Sequence, residues 1–349
     1  MPYPVSFHHL FSTLVLFVGL SVGITACGES AEDENTSKTS LTRVTFATDW
    51  VAQAEHGGFY MAKALGLYED RGMTVDILPG GGSVNVPQLV AAGAVDFAMG
   101  SNSFIPFNLI RAGVPARAVM ASFQKDPQVL ITHPREDVNT LGDIQGKPVM
   151  IADASRTAWW PWLAAEYGFT DSQIRKYTSN VAPFLVDTRA IQQGYITSEP
   201  YIIARELGVE PEVYLLADYG YPSYATLVLV RQEMIDERAP VVRAFVEASI
   251  EGWRRYLLED PAPAHALILK DNPDMEPDIL KQARQKLLSY GIVIPETGSG
   301  LDVGAMTRER WETFFTVMRD AGLYDDDLPW QDAFTMAFLP ASDDGEARP

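Results

Sequence analysis

Cysteine is almost absent from this chain: its 349 residues hold one, Cys27. A lone cysteine makes neither an internal disulfide nor a thiolate metal cluster, so no disulfide scaffold and no cysteine-ligated centre is expected. Histidine is nearly as scarce, and beyond the first 26 residues only His56, His133 and His265 occur. Ligands so sparse and unclustered give no metal site. Positive charge is also short, since 27 Lys and Arg face 46 Asp and Glu and leave a net charge of −19. Without a basic patch to neutralise phosphates, nucleic acid is excluded as a partner and large anions are disfavoured. There is no G-x-S-x-G elbow, no H-E-x-x-H helix and no Lys-Ser/Thr of a P-loop. No internal repeat is visible.

What remains is an ordinary globular composition, 47% hydrophobic and 21% charged, in a chain long enough for two lobes. The N-terminal run FSTLVLFVGLSVGITA has about the length of a signal peptide and is too short for a membrane helix. It ends in Ile24-Thr25-Ala26-Cys27-Gly28, which resembles the lipobox of bacterial lipoproteins. That resemblance implies removal of residues 1–26 and lipidation of Cys27. The stretch before the apolar run carries His8 and His9 in place of Lys or Arg. The polar, acidic GESAEDENTSKTSLT then reads as a flexible tether, making residues 27–43 a spacer between the fold and a membrane. An exported protein, held by lipid at the envelope face of a bacterial membrane, is expected. Residues 341–349 read as a disordered tail.

From Val44 onward, short β-rich runs alternate with helical patterns. Strands are expected at 44–47, 75–78, 95–99, 116–122, 129–132, 148–151, 213–216 and 225–230. Helical spacing fills stretches such as GGFYMAKALGLYEDRG, VPQLVAAG and TAWWPWLAAEYG. This order predicts an α/β fold of parallel-type sheets flanked by helices. Three long amphipathic helices near the C-terminus are expected to pack on an existing sheet. The apolar runs QVLIT and TLVLV are read as crossings between lobes. Residues 44–133 and 225–340 then form lobe I and residues 134–224 an inserted lobe II, with a ligand cleft between them.

Ligands in open α/β sheets sit at the carboxyl ends of strands, and reading those positions yields candidates. The turn after the first strand, ATDWVAQAEHGGFYM, offers Trp50, His56 and Tyr60. Glu55 beside His56 raises the question of acid–base chemistry, but chain neighbours point apart unless a turn bends them together. A hydrogen-bonding His56 at a helix start is the preferred reading. The loop PGGGSVN contributes Gly82, Ser83 and Asn85, either as an anion cradle or as a tight turn with no ligand. Ser101 and Asn102 follow VDFAMG. The second lobe offers Ser155, Arg156 and Trp159, then Glu199 and Tyr201, then Tyr221. Trp159, Trp160 and Trp162 cannot share one helix face, so at least one is expected at a cleft or lobe surface. Aromatics from both lobes would sandwich a flat ring, with Glu199 accepting from an exocyclic amino group.

The opening VTFATDWVAQAEHGGFYMAKALGLYEDRGMTVDILPGGG, then LVAAGAVDFAMGS, then LGDIQGKPVMIA with IQQGYITSEPYI, resemble one family. It is the NMT1/THI5-like group of periplasmic substrate-binding proteins of ABC importers, and the resemblance runs from about Val44 to Leu339. It implies a type II two-lobe periplasmic-binding fold that closes on a small molecule. It also implies ABC permease and ATPase subunits as partners, no cofactor, no catalytic residue, and a monomer. Family members take thiamine-precursor pyrimidines, riboflavin, nitrate or sulfonates, and the DW…H opening leans toward a pyrimidine. On that reading Trp50 or Tyr60 stacks on the ring, while Glu199 or Asn85 meets its polar edge. Arg156 is the one candidate for an anionic ligand. The group also contains fungal enzymes that make the thiamine pyrimidine, in which a histidine at the position of His56 is consumed. Those enzymes carry a cysteine-rich iron motif. The matching PSYATLVLV here has no cysteine, which disfavours a synthase.

Overall fold

In a computed structural model of the protein, residues 41–82, 84–294 and 302–340 are described. The signal segment, Cys27, the tether up to residue 40, Ser83 and the tail 341–349 lie outside them. In chain order the strands are β1 (Thr42–Ala47), β2 (Met73–Leu78), β3 (Phe97–Asn102), β4 (Ala116–Phe123) and β5 (Gln128–Thr132). There follow β6 (Val149–Ile151), β7 (Ile174–Lys176), β8 (Ile191–Tyr195), β9 (Glu212–Leu215) and β10 (Ala225–Arg231). They form two five-stranded sheets, ordered β2-β1-β3-β10-β4 and β7-β6-β8-β5-β9.

Both sheets are mixed, which corrects the parallel-type expectation. β1 runs parallel to β2 and β3 because a helix crosses back between successive strands. β10 arrives from the other sheet, so it enters from the opposite end and pairs antiparallel with β3 and β4. The second sheet repeats this logic. β6 is parallel to β7 and β8, whereas β5 enters from the first sheet and lies antiparallel to β8 and β9.

β5 therefore belongs to the second sheet, although QVLIT was expected to close the first lobe. The chain crosses between sheets in two connections that flank strands, residues 124–127 after β4 and residues 220–224 before β10. Neither crossing is a strand. Asp126 in the first connection is buried and accepts from the Gln128 N–H at 3.0 Å. Arg310 grips the second, donating to the carbonyls of Pro222 at 3.0 Å and Ser223 at 2.9 Å, with its guanidinium 4.1 Å from the Tyr224 ring centre.

The long helix Gln232–Leu258 covers one face of the first sheet. Its Phe245 stacks on Phe97 at 3.9 Å between ring centres and on Tyr68 at 5.2 Å, and meets Phe46 edge-on at 5.3 Å. Such buried aromatic contacts supply apolar area together with a preferred geometry. The helix carries Pro240, and its backbone leaves helical geometry at Arg238 (φ −133°, ψ 35°). Proline lacks the N–H and crowds the preceding turn, which accounts for the break. Helix Gly57–Ala64 crosses the long helix with almost no space between backbones. A Cβ on Gly252 would lie 2.2 Å from the Gly58 carbonyl oxygen, so position 252 requires glycine. Trp311 and Phe314 of helix Arg308–Asp320 pack on Phe107 of helix Phe104–Arg111, so this C-terminal helix, expected on a sheet, lies against another helix.

The tryptophan run is placed differently from the expectation. Trp159, Trp160 and Trp162 are all buried, at 4%, 2% and 2% exposure. Helix Trp160–Tyr167 is enclosed on several sides: Trp160 meets Phe169, Trp162 meets Tyr167 and Tyr221, and the Trp160 indole N–H donates to Asp171 at 3.1 Å. A helix packed on more than one face has no need of a single apolar stripe.

Candidate ligand-binding cleft

A cavity of about 700 Å³ opens where the carboxyl ends of the two sheets face each other. The turn after β1 forms one wall with Asp49, Trp50, Gln53, Glu55 and His56, joined by Ser101 at the end of β3. The opposite wall carries Tyr177, Gln193, Tyr195 and Glu199 from the second sheet. Phe123, Gln128 and Thr226, beside the two connections, line the space between the walls.

Glycine explains how the first wall is held. Cβ atoms on Gly57 and Gly58 would sit 2.2 Å from the Tyr256 and Trp253 rings, so the helix after the turn drops directly onto those aromatics. Asn272 Nδ2 donates to the Ala52 carbonyl at 2.9 Å and pins the turn from the C-terminal side. The loop Pro79–Gly82 then closes over it. Gly80 N–H donates to the Trp50 carbonyl at 3.0 Å and lies 3.2 Å from Thr48 Oγ1, where a Cβ would strike the Thr48 carbonyl. Gly80 thus serves as a close-packed turn, and its N–H is engaged within the protein.

Three carboxyl groups reach the cavity. Asp49 accepts from Ser101 Oγ at 2.5 Å and lies 3.5 Å from His56 Nε2. His56 is fully buried, and neither ring nitrogen makes a hydrogen bond to a described residue. Glu55 accepts from the Thr197 hydroxyl, and Gln282 Nε2 donates to the Thr197 carbonyl. Thr197, on the second sheet's side, is thereby clasped by two side chains from the first. Glu199 accepts from the Tyr195 N–H at 2.8 Å and the Tyr177 hydroxyl at 3.1 Å. Burial pushes the Glu55 and Glu199 carboxyls above their ordinary range. It raises the Tyr177 and Tyr195 hydroxyls too, keeping them protonated donors at neutral pH.

No Lys or Arg is among the described residues lining this cavity. Its chemistry is acceptor-rich and aromatic, suited to a neutral or cationic ring that carries hydrogen-bond donors. Backbone strain marks the same place. The non-glycine described residues at positive φ are Ser179 (55°) and Thr226 (49°), and both line the cavity. A β-branched residue held there costs on the order of 1–3 kcal/mol, and such strain collects at functional sites.

Of the residues singled out from sequence, Trp50, His56, Ser101 and Glu199 line this cavity. Gly82 and Asn85, again with Ser101, line a neighbouring one. The others lie elsewhere. Tyr60 is buried in its helix with its hydroxyl 2.9 Å from Asp271. Asn102 accepts from the Phe104 N–H, and Ser155 donates to Gln193 at 2.8 Å. Arg156 pairs with Asp171 at 3.5 Å, and Tyr201 lies beneath Arg205. Trp159 and Tyr221 are core residues. Sequence reasoning passed over Tyr177, Gln193, Tyr195 and Gln128. The one available signal was IQQGY, where consecutive polar residues interrupt a strand-length run.

Two mixed sheets joined by two short connections, with a ligand-sized cavity at their carboxyl ends, define the bilobal binding-protein architecture. Within it, the chain belongs to the NMT1/THI5-like family, whose model matches residues 53–264. It is 26% identical over 324 residues to the riboflavin-binding protein RibY of Chloroflexus aurantiacus, covering 90% of this chain and 91% of that one. It is 22% identical over 306 residues to the formylaminopyrimidine-binding protein of Halalkalibacterium halodurans, covering 85% and 90%. A further relative, at 22% over 276 residues and 72% and 76% coverage, is the 4-amino-5-hydroxymethyl-2-methylpyrimidine phosphate synthase of Schizosaccharomyces pombe. The fold matches the ligand-binding component of an ABC-type import system from Staphylococcus aureus, solved with zinc bound. That match has a TM-score of 0.59 at 12% identity, over 85% of this chain and 98% of that one.

Proposed function

We propose that this protein is the solute-binding component of an ABC importer and captures a flat heteroaromatic solute with a pyrimidine-type edge. The observation that carries the reading is the cavity lining: buried acceptors and aromatic side chains from both sheets, with no cation among them. A sulfonate or nitrate would meet Asp49, Glu55 and Glu199 with no Lys or Arg to offset them, so an anionic ligand is disfavoured. Trp50, 43% exposed at the mouth, is free to stack on a ring. Two of the relatives are named for heteroaromatic ligands, which supports the same class. Among the described residues no helix is long and apolar enough to cross a membrane. An export signal and a lipid on Cys27 would place the protein beside its permease, and Cys27→Ser should release it from the membrane fraction.

Isothermal titration calorimetry against aminopyrimidines, flavins and alkanesulfonates tests the ligand class. Heteroaromatic binding with no sulfonate heat is expected, and the reverse pattern overturns the reading. The resemblance to a synthase makes catalysis the rival. It predicts that His56 is chemically altered after incubation with iron and pyridoxal phosphate. Intact mass of the His56 peptide decides this, and no change is expected.

A further inference from the structure

A separate cavity, of about 480 Å³, lies on the second sheet and shares no lining residue with the cleft. Pro148 and Ala190, which line it, lead into β6 and β8, so it sits toward the amino ends of those strands, away from the cleft. Its chemistry is the reverse of the cleft's. Arg135, Lys147, Arg175 and Arg189 converge on it, with Asp187 the one carboxylate among its described lining residues, in a chain of net charge −19. Net charge does not govern a single pocket, and these cations set a local potential opposite to that of the whole.

The cations are committed to different degrees. Asp137 holds Arg135 through two hydrogen bonds, at 2.5 and 2.8 Å, so Arg135 is a fixed wall. Lys147 lies 3.8 Å from Asp137 and gives one N–H to the Asp143 carbonyl at 2.6 Å, while the Asp143 carboxylate accepts from the N–H groups of Asn139 and Thr140. Arg189, its side chain 85% exposed, lies 3.7 Å from Asp187. Arg175 donates from Nη1 to the carbonyls of Ser172 and Ile174, both at 2.9 Å, and pairs with no carboxylate among the described residues. Lys147, Arg175 and Arg189 thus keep donors to spare. Beside them the lining is apolar, with Met150, Pro183 and Ile191. Met150 of β6 is in register with Arg175 of β7, so apolar floor and cation share one face of the sheet.

We propose that this cavity is a second binding site, for a phosphate group carried on an apolar body. Guanidinium and ammonium groups hold phosphate oxygens through charge-assisted hydrogen bonds, and Arg175, Arg189 and Lys147 supply them. Met150, Pro183 and Ile191 pack against the carbon. A bare phosphate is far smaller than the cavity and would leave that floor to water. A phospholipid headgroup and a soluble phosphate ester present the same chemistry. Because cavity and cleft occupy opposite ends of the second sheet, filling one leaves the other open, and the site does not depend on what the cleft binds.

Calorimetry on the full chain tests this with four probes: inorganic phosphate, hexyl phosphate, and dihexanoyl phosphatidylglycerol and phosphatidylcholine below their micelle concentrations. Hexyl phosphate or the phosphatidylglycerol should bind at least roughly tenfold tighter than both inorganic phosphate and the zwitterionic lipid, the worth of one charged hydrogen bond or more. Binding of the phosphatidylglycerol alone assigns the site to a lipid headgroup, and binding of hexyl phosphate alone to a soluble ester. Arg175→Gln and Arg189→Gln, both at exposed positions, should each weaken the bound amphiphile roughly tenfold. Arg205→Gln, whose cation pairs with Glu276 outside the cavity, should leave it within about twofold. Heteroaromatic binding in the cleft should be the same in all three variants. Any alkanesulfonate heat that disappears in Arg175→Gln belongs to this cavity, which keeps the test of the cleft separate. Failure of every phosphate to bind, or unchanged affinity in both Arg175→Gln and Arg189→Gln, overturns the site. Inorganic phosphate or the zwitterionic lipid binding as tightly as the anionic amphiphiles overturns the assigned ligand class.

Discussion

Asp126 offers a test of the fold that needs no ligand. It is buried in the first connection between the sheets, facing the Ser223 hydroxyl of the second connection, with Arg310 nearby. Burial outweighs these helpers and pushes its carboxyl from an ordinary 3.8 up to about 7. The folded protein thus holds this proton more tightly than the unfolded chain does. The sign follows: the stabilisation is fully present below about pH 4 and is lost as pH rises through 7. The two limits lie roughly three pH units apart, at about 1.4 kcal/mol each, so the ceiling is roughly 4 kcal/mol. Glu55 and Glu199, raised in the same direction, contribute to the slope of the native protein and must be subtracted. Asp126→Asn performs that subtraction, because the amide mimics the protonated carboxyl in shape and charge. Urea unfolding at pH 5, 6, 7 and 8 should show the variant gaining on the native protein by up to about 1.4 kcal/mol per pH unit between pH 5 and 7 and levelling off above 7, about 2–3 kcal/mol in all. Parallel pH profiles for the two proteins, or a variant that loses stability at pH 8, would refute the reasoning.

Three further outcomes are expected. Thr197→Val removes the hydroxyl that Glu55 accepts from across the cleft, and should weaken ligand binding roughly tenfold, the cost of a bond to a buried acid. Unchanged affinity in calorimetry would show that the clasp does not contribute to the bound state. Trp50→Ala should lower affinity for a heteroaromatic solute by about tenfold while moving the unfolding free energy by less than about 0.5 kcal/mol, because the side chain is 43% exposed. Gly252→Ala forces a methyl against the Gly58 carbonyl and should cost about 1–3 kcal/mol in urea unfolding; a cost near zero would mean that the helix pair slides apart freely.

The alternation of strand and helix, and the turn from Asp49 to His56, were legible because local pattern carries them. β1, β2 and β4 have the β-branched and apolar residues of a buried strand, and the loop after β1 gathers polar and aromatic groups at a strand end. β8 was not legible. Its sequence IQQGY spends two glutamines and a glycine on strand positions, and Gln193 and Tyr195 line the cavity, so the site overrode the local preference. β7 is a three-residue edge strand, below the length at which alternation can be read. The direction of β5 and β10 was hidden for another reason: an apolar run has the same composition whether it pairs parallel or antiparallel. Tyr60, Tyr201 and Tyr221 fell away from the cleft because a tyrosine's ring packs as readily in a core or under a cation as on a ligand, as Tyr221 does against Trp162 and Tyr201 against Arg205, and sequence does not say which.

The two connections also settle where this chain can be cut and rejoined. The second sheet is threaded by one uninterrupted run from Gln128 to Leu215, and its first and last strands are neighbours, with Val129 opposite Leu215. Adjacent strands lie about 5 Å apart, so the run leaves the first sheet and returns almost to the point of departure. Grafting the equivalent run from a relative thus needs two splices a single strand spacing apart. The junctions would fall at Asp126 and Arg310's carbonyl partners, so a chimera keeps its fit only if those contacts travel with the scaffold. Exchange of one half of the cleft, with the other half inherited intact, is the modular step by which this architecture can acquire a new cargo.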